Sequence, residues 1–294
     1  MNYSIVELPI EILYDMVNMY LIELKDQLNF MAMCKKVTNI TINYLNHPLI
    51  NDKVLLQRKF LNITHLDIDT KKSFWALSED SINHLTNLTL LDYSNSHIHF
   101  NISNLTKLVK LTVNVVTFFP LNKLTGLTDL NLFENQNISD IGPLTNLKYL
   151  TMPFLPMKMI SISHLTNLIS LNTNYTKKFP SINNLTNLTI LCARETEINQ
   201  NSIEPLTNLT KLDISGCKNI TCITHLINLT KLDISDCKNI TCITHLTNLT
   251  NLKIRGFSCG IDQAQIMNLY SLRSIKTANN DKILSTSHLT NLEK

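Results

Sequence analysis

From Leu85 onward the apolar positions recur in one word, Leu-x-x-Leu-x-x-Leu, whose first leucine stands at Leu85, Leu105, Leu124, Leu144, Leu165, Leu185, Leu206, Leu226 and Leu246. Successive words lie 19 to 21 residues apart. Ile266, Leu269 and Leu272 continue the series, Leu289 and Leu292 open a shorter copy, and Phe60, Ile63, Leu66 and Ile68 form a degenerate first one. This gives about 11–12 units. In the copy LTNLTKLDISGCKNITCITH, which starts at Leu206, Leu212, Asp213 and Ile214 alternate apolar, polar, apolar, which is the period of a strand. Each unit therefore holds one short strand, here Lys211 to Ser215, and a return arc closed by Ile220 and Ile223. A single unit cannot bury its own leucines, so units must stack with their strands side by side, ~4.8 Å apart. The short period leaves little room for a full helix, and the return arcs are expected to be extended or 3₁₀.

The alternation assigns sides. Leu212 and Ile214 point inward and Asp213 outward, so the outward strand positions form the readable surface. After each strand the chain turns away and leaves backbone groups that need partners. Asn135, Thr196, Cys217 and Cys237 stand at that inward turn. Outward or strand-exit positions hold Phe133, Tyr149, Phe154 and Tyr175 in four successive units, and clustered aromatics are the usual anchors of a protein interface. Further on the same face carries Lys211, Asp213, Lys231, Asp233, Lys253, Arg255 and Arg273, which read as cross-strand pairs stabilising a sheet.

Before the repeats the period becomes helical. Leu8, Ile12, Leu13, Met16, Val17 and Tyr20 fall three and four residues apart, with Pro9 at a helix start where its missing N–H costs nothing. A second helical stretch runs through Leu24, Leu28, Met31 and Val37, and a third from Pro48 to Arg58. The expected organisation is thus a small all-α segment over residues 1–58 and a repeat solenoid over 59–294, a parallel sheet of short strands with 3₁₀ or extended returns.

Composition narrows the function. The chain is 44% hydrophobic and 17% charged with a formal net charge of +3, so it lacks the dense basic face that nucleic-acid binding needs. No apolar run is long enough to span a bilayer, and Glu7, Glu11 and Asp15 interrupt any signal-peptide core. Seven cysteines, an odd number, favour free thiols in a reducing compartment, and an intracellular, cytoplasmic address is expected. Cys217 with Cys222 and Cys237 with Cys242 lack the tight CxxC knuckles of a structural zinc site. His84, His164, His225, His245 and His288 precede the first leucine of their repeats, but Pro143 and Asn184 hold that place elsewhere. With no nucleophile elbow, metalloprotease or phosphate-loop word, the chain reads as non-catalytic, with no metal and no cofactor.

The repeat resembles the leucine-rich-repeat family, whose consensus LxxLxLxxN/C is met by Leu209, Leu212, Ile214 and Cys217, by Leu229, Leu232, Ile234 and Cys237, and by Leu127, Leu130, Leu132 and Asn135. The resemblance covers roughly four fifths of the chain. The opening Leu8-Pro9-Ile10-Glu11-Ile12-Leu13, followed by Cys34-Lys35, resembles the F-box family, although Val37 stands where that family has an aromatic residue and Met33 where it has valine. This resemblance implies that residues 7–40 bind a Skp-family adaptor, with Leu8, Pro9, Ile12 and Leu13 in the contact. The repeats would then hold a target protein, making the chain a substrate receptor of a cullin-type ubiquitin ligase. The alternative is a leucine-rich-repeat scaffold with no ligase coupling, its N-terminal helices serving only as a cap. The Asn- and Ile-rich composition is similar to that of proteins of amoebae and their giant viruses.

Overall fold

The computed structural model describes residues 41–43, 64–67, 78–93, 101–113, 121–133, 140–154 and 160–293. The chain divides into two compact units, Met1–Leu127 and Thr128–Lys294. In the first unit β1 (Thr41–Asn43), β2 (His65–Asp67), β3 (Leu90–Tyr93) and β4 (Lys110–Val113) pair in sequence order, all parallel. Ile42, Leu66, Leu91 and Leu111 stand in one register column. A five-residue helix α1 (Glu79–Asn83) and a 3₁₀ turn at Leu121–Lys123 belong to the same unit. The strand β1 lies inside the stretch that hydrophobic periodicity assigns to a helical segment. Thr41 and Ile42 are β-branched and favour extended backbone, so a strand precedes the first one recognisable from leucine spacing. The three helices expected in residues 1–58 otherwise fall outside the described residues.

The second unit contains eight turns. Its strands β5 (Asp129–Asn131), β6 (Tyr149–Thr151), β7 (Ser170–Asn172), β8 (Ile190–Cys192), β9 (Lys211–Asp213), β10 (Lys231–Asp233), β11 (Asn251–Lys253) and β12 (Ser274–Lys276) form parallel neighbours in sequence order. Among the described residues two short helices interrupt the returns, α2 (Gln200–Ile203) and α3 (Gln263–Ile266), each capped by an acceptor side chain, Asn199 and Asp262. Elsewhere the arcs close through i→i+3 bonds. Leu206 N–H donates to Ile203 O at 3.0 Å and Leu209 N–H to Leu206 O at 3.2 Å, and the same pair of turns recurs at Leu226/Leu229 and Leu246/Leu249. Extended and 3₁₀ returns are what so short a period allows.

Burial follows the word. Leu206, Leu209, Leu212, Ile214, Ile220 and Ile223 are each at most 1% exposed, and the equivalent positions are buried in the turns before and after. The polar letters of the word have an equally physical cause. The asparagine at the third position of the word donates its side-chain N–H to a carbonyl of the preceding turn in successive copies: Asn208 to Thr186 O at 3.0 Å, Asn228 to Thr207 O at 3.1 Å, Asn248 to Ile227 O at 3.1 Å. The threonine two residues later does the same from its hydroxyl, Thr210 to Thr189 O, Thr230 to Thr210 O and Thr250 to Thr230 O, all at 3.1 Å. Both rungs tie each turn to the one before it, and the threonine hydroxyls add to carbonyls that already accept backbone N–H groups, as Thr189 O does from Thr210 and Lys211.

The assigned sides make a stability prediction. Leu212→Ala should cost about 2–5 kcal/mol through lost burial and a residual cavity. Asn208→Ala, which removes one rung, should cost about 0.5–1.5 kcal/mol, and the exposed Lys211→Ala less than about 0.5 kcal/mol. Urea unfolding of the three variants checks the order; equal losses at Leu212 and Lys211 would contradict the register.

Candidate functional site

Four residues after the central strand residue of β6 to β12 the backbone enters the left-handed region. The residues are Phe154 (φ 58°), Tyr175 (61°), Glu195 (51°), Gly216 (75°), Asp236 (58°), Gly256 (94°) and Asn279 (63°). This conformation is uncommon for residues other than glycine, and here five such residues adopt it in a single column. It is held by a ladder: the N–H of Phe154 donates to Asn174 O, Tyr175 to Arg194 O, Glu195 to Ser215 O, Gly216 to Ser235 O, Asp236 to Arg255 O and Gly256 to Ala278 O, at 2.8–2.9 Å. The turn that carries the chain off the sheet thereby fixes one outward side chain per repeat in a row along the strand exits.

At the N-terminal end of the row the side chains are aromatic. Phe154 and Tyr175 stack with ring centroids 4.9 Å apart and planes 7° from parallel. Phe133 meets Phe154 edge-on, at 6.1 Å and 90°. The difference comes from position: Phe133 follows its strand leucine by three residues rather than four, so it approaches the column from the side. Phe133 and Phe154 remain 41% and 42% exposed. Tyr149, 45% exposed, stands at the opposite end of β6, in register with Asp129 and Ser170. The four aromatics expected in successive units thus occupy three turns, and the structure joins three of them into one surface. Tyr149 and Phe154 share a turn but not an end of it.

Towards the C-terminus the face is charged, and the register is not one of alternating pairs. Lys211 stands beside Lys231 and Asp213 beside Asp233; only Asp233 and Lys253 are opposite charges in register. Like charges directly opposite destabilise a sheet, so Lys211 and Lys231 are not there to hold it together. The carboxylates are neutralised from elsewhere. Arg194, at the exit of β8, reaches Asp213 at 3.0 Å and Asp233 at 3.8 Å, while Lys253 and Arg255 approach Asp233 at 3.2 and 3.9 Å. The Asp233 side chain is only 5% exposed, yet its Oδ2 has no aligned hydrogen bond, as is also true of Nε of Arg194 and Arg255. Arg194 donates from its terminal nitrogen to Asp213 at 3.0 Å, while the buried Nε groups of both arginines have no aligned acceptor. The Arg194 guanidinium holds its proton more firmly than usual, first through a hydrogen bond with Tyr175 and then through Asp213, against the opposing effect of burial. Arg194 therefore connects the aromatic stack to the charged stretch. Nothing in the repeat word marks it; its only sign in the sequence is that it holds, in its turn, the strand-exit place that Arg255 holds three turns later.

No protein-family profile matches the sequence, and no curated protein does. Solved structures do. An internalin, inlF, of Listeria monocytogenes matches 97% of this chain over 93% of its own at 20% identity, with a TM-score of 0.62. An LRR protein of Leptospira interrogans matches 92% of this chain over 91% of its own at 18% identity and a TM-score of 0.56. The fold is that of leucine-rich-repeat proteins. A third match, the functional domain of InlJ from Listeria monocytogenes, covers 72% of this chain and 54% of its own at 23% identity and a TM-score of 0.56, and is described as including a cysteine ladder.

In this chain an inward row follows the left-handed column, one residue beyond it at Thr196, Cys217, Cys237 and Asn280 and three beyond it at Cys259. Thr196 donates to Ala193 O at 2.8 Å, Cys217 to Ala193 O at 3.1 Å, Cys237 to Ile214 O at 3.1 Å, and Asn280 to Ile254 O at 3.0 Å, with Cys259 at 3.8 Å from Ile234 O. Asn135, expected in this row, lies outside the described residues. Burial pushes the thiols of Cys217 and Cys259 up, and that of Cys237 to about 12, so they remain protonated donors. Cys222 is different: exposed, and lowered by the Thr224 hydroxyl 3.0 Å from its sulfur. Of the histidine column, His225 and His288 contact Ile203 O and Ile266 O at 3.2 and 3.3 Å, one turn back in each case. No cluster of three or more His, Cys, Asp or Glu side chains among the described residues could hold a metal ion.

The thiols give a direct check. A maleimide at pH 8 should modify Cys222 and Cys242 in the native chain and reach Cys217, Cys237 and Cys259 only in denaturant, as read by peptide mass spectrometry. Labelling of native Cys237 as fast as Cys222 would contradict the inward row.

Proposed function

We propose that this chain is a protein-binding module, and that the stacked aromatics at its strand exits anchor the partner. One observation supports the reading above others: Phe133, Phe154 and Tyr175 contact one another on the surface, with two of them held in a left-handed backbone that keeps them out of the core. Rigid, pre-stacked rings offer large contact area with little side-chain entropy left to lose, which is the profile of an interface hot spot. Tyr149 extends the same face from the other strand end.

The finer reading is a substrate receptor of a Skp–cullin–F-box ubiquitin ligase acting in the cytoplasm, of the host if the chain is viral. Its support is the opening LPIEIL, with Leu8, Pro9, Ile12 and Leu13 contacting a Skp-family adaptor and the repeats holding the target. Those four residues fall outside the described ones. No bond is broken by such a receptor. It acts by raising the effective concentration of the target beside a conjugating enzyme that its partners supply. The scaffold without ligase coupling is the alternative.

Two measurements test these readings separately. Phe154→Ala with Tyr175→Ala should remove a bound partner from pull-downs, each truncated anchor weakening binding by at least about 2 kcal/mol, while the circular dichroism spectrum stays unchanged. Full recovery of every partner would rule out the aromatic anchor. Leu8→Ala with Pro9→Ala should abolish co-purification of a Skp-family adaptor and leave the thermal midpoint unchanged. If the wild-type chain binds no such adaptor, or the double variant only lowers the thermal midpoint, the helices are a cap and the scaffold alternative stands.

A further inference from the structure

The left-handed row changes character after Tyr175. Its next members are Glu195, Gly216, Asp236 and Gly256, so carboxylates alternate with glycines. Where the glycines stand the row is open, and beneath it the strand exits carry the small Ser215 and Ser235 between Arg194 and Arg255. The result is a solvent-open trough of about 940 Å³, lined by these residues. Its glycines are not replaceable spacers. A Cβ on Gly216 would come within 2.8 Å of Glu195 Cγ, and one on Gly256 would collide with the Asp236 carboxylate, so the acidic side chain one turn back lies against each glycine.

Charge along this stretch does not balance. Arg194, Lys211, Lys218, Lys231, Lys253, Arg255 and Lys276 stand with five carboxylates, those of Glu195, Glu197, Asp213, Asp233 and Asp236. Two positive charges are left over. Lys211, Lys231 and Lys276 are exposed, and the like-charge neighbours Lys211 and Lys231 gain nothing from the sheet. The two arginines sit on turns β8 and β11, three strand spacings apart, or roughly 14 Å. An extended polypeptide advances ~3.3 Å per residue, so this span corresponds to about four residues.

We propose that the trough binds an extended acidic segment of the partner protein, with one carboxylate at Arg194 and another about four residues along at Arg255. The inference rests on the protein-binding reading above and names the chemistry of the partner. A guanidinium donates to a carboxylate oxygen in a charge-assisted bond, and the side chains of Arg194 and Arg255 are 32% and 43% exposed. Glu195 and Asp236, against the glycines, accept from the segment's backbone N–H groups. Tyr175 lies beside Arg194, so an apolar residue one or two positions beyond the first carboxylate meets the aromatic stack. A nucleic acid fits less well. Its phosphates recur continuously and would meet Glu195 and Asp236 at the rim as often as the cations.

The test uses the full chain as bait for a phage-displayed library of random twelve-residue peptides. Enrichment of peptides with two Asp or Glu residues three to five positions apart and a flanking apolar residue is the expected result. A fluorescein-labelled consensus peptide should then bind at least tenfold more weakly to Arg255→Gln and to Lys231→Glu, and at least tenfold more weakly when its acids are changed to Gln. Lys107→Gln, in the other compact unit, should leave it unchanged. Thermal midpoints of the variants separate lost binding from lost folding, and Lys231→Glu, on an exposed side chain, serves if Arg255→Gln unfolds. Selection of neutral or basic peptides that depend on Phe154 and Tyr175 but not on Arg255 would overturn this inference and leave the protein-binding reading intact. No enriched peptide overturns it as well, as does tighter binding of a single-stranded twenty-nucleotide DNA that Arg255→Gln abolishes.

Discussion

A turn of about twenty residues cannot dry its own leucines, and the rest of this molecule depends on that shortfall. Leu206, Leu209 and Leu212 become buried only when the turns on either side close over them. Neighbouring turns must therefore repeat the same path, and side chains of one turn find partners on the next. The asparagine rung, the threonine rung and the inward row of Thr196, Cys217, Cys237 and Asn280 all donate to backbone carbonyls, most of them one turn back. Burial supplies the driving force, and these rungs set the phase in which it is satisfied.

The same shortness of the turn creates the surface. To leave the sheet within a few residues the chain adopts a left-handed turn after each of β6 to β12, and that turn points one side chain away from the core regardless of its identity. Phe154 and Tyr175 stack because the turn places them one strand spacing apart, not because their local sequences resemble each other. Gly216 and Gly256 open a trough for the converse reason. A solenoid of this kind separates its tasks by position: the leucines belong to the fold, the rungs to phase, and the left-handed row is free to vary.

How much of this was readable from the sequence follows from the same division. Leucine spacing specified the parallel turns, the inward side of Leu212 and the 3₁₀ returns, because burial imposes a period that no other fold shares. Aromatic residues outside that period drew attention to Phe133, Phe154 and Tyr175, although counting along the chain spread them over four units where the register allows three. The charged stretch does not form the alternating pairs that its sequence suggests, since Lys-Leu-Asp looks complementary along one strand and becomes like beside like once two copies lie parallel. Arg194 escaped notice for a related reason: it serves carboxylates one and two turns away, about 20 and 40 residues on. The strand at Thr41–Asn43 was hidden because a strand of three residues carries no period of its own.

The turns that begin at Leu206 and Leu226 differ at two positions, Thr207 against Ile227 and Gly216 against Asp236. Leu206 to His225 can therefore be lost, or copied once more, without leaving any rung open, because each rung joins equivalent atoms of whichever turns become neighbours. Such an event in the gene would alter the molecule only in what it measures: Arg194 and Arg255 would move closer or farther by one strand spacing. Unequal recombination between the near-identical copies would thus act as a vernier, resetting the length of segment the surface accepts while the core remains indifferent.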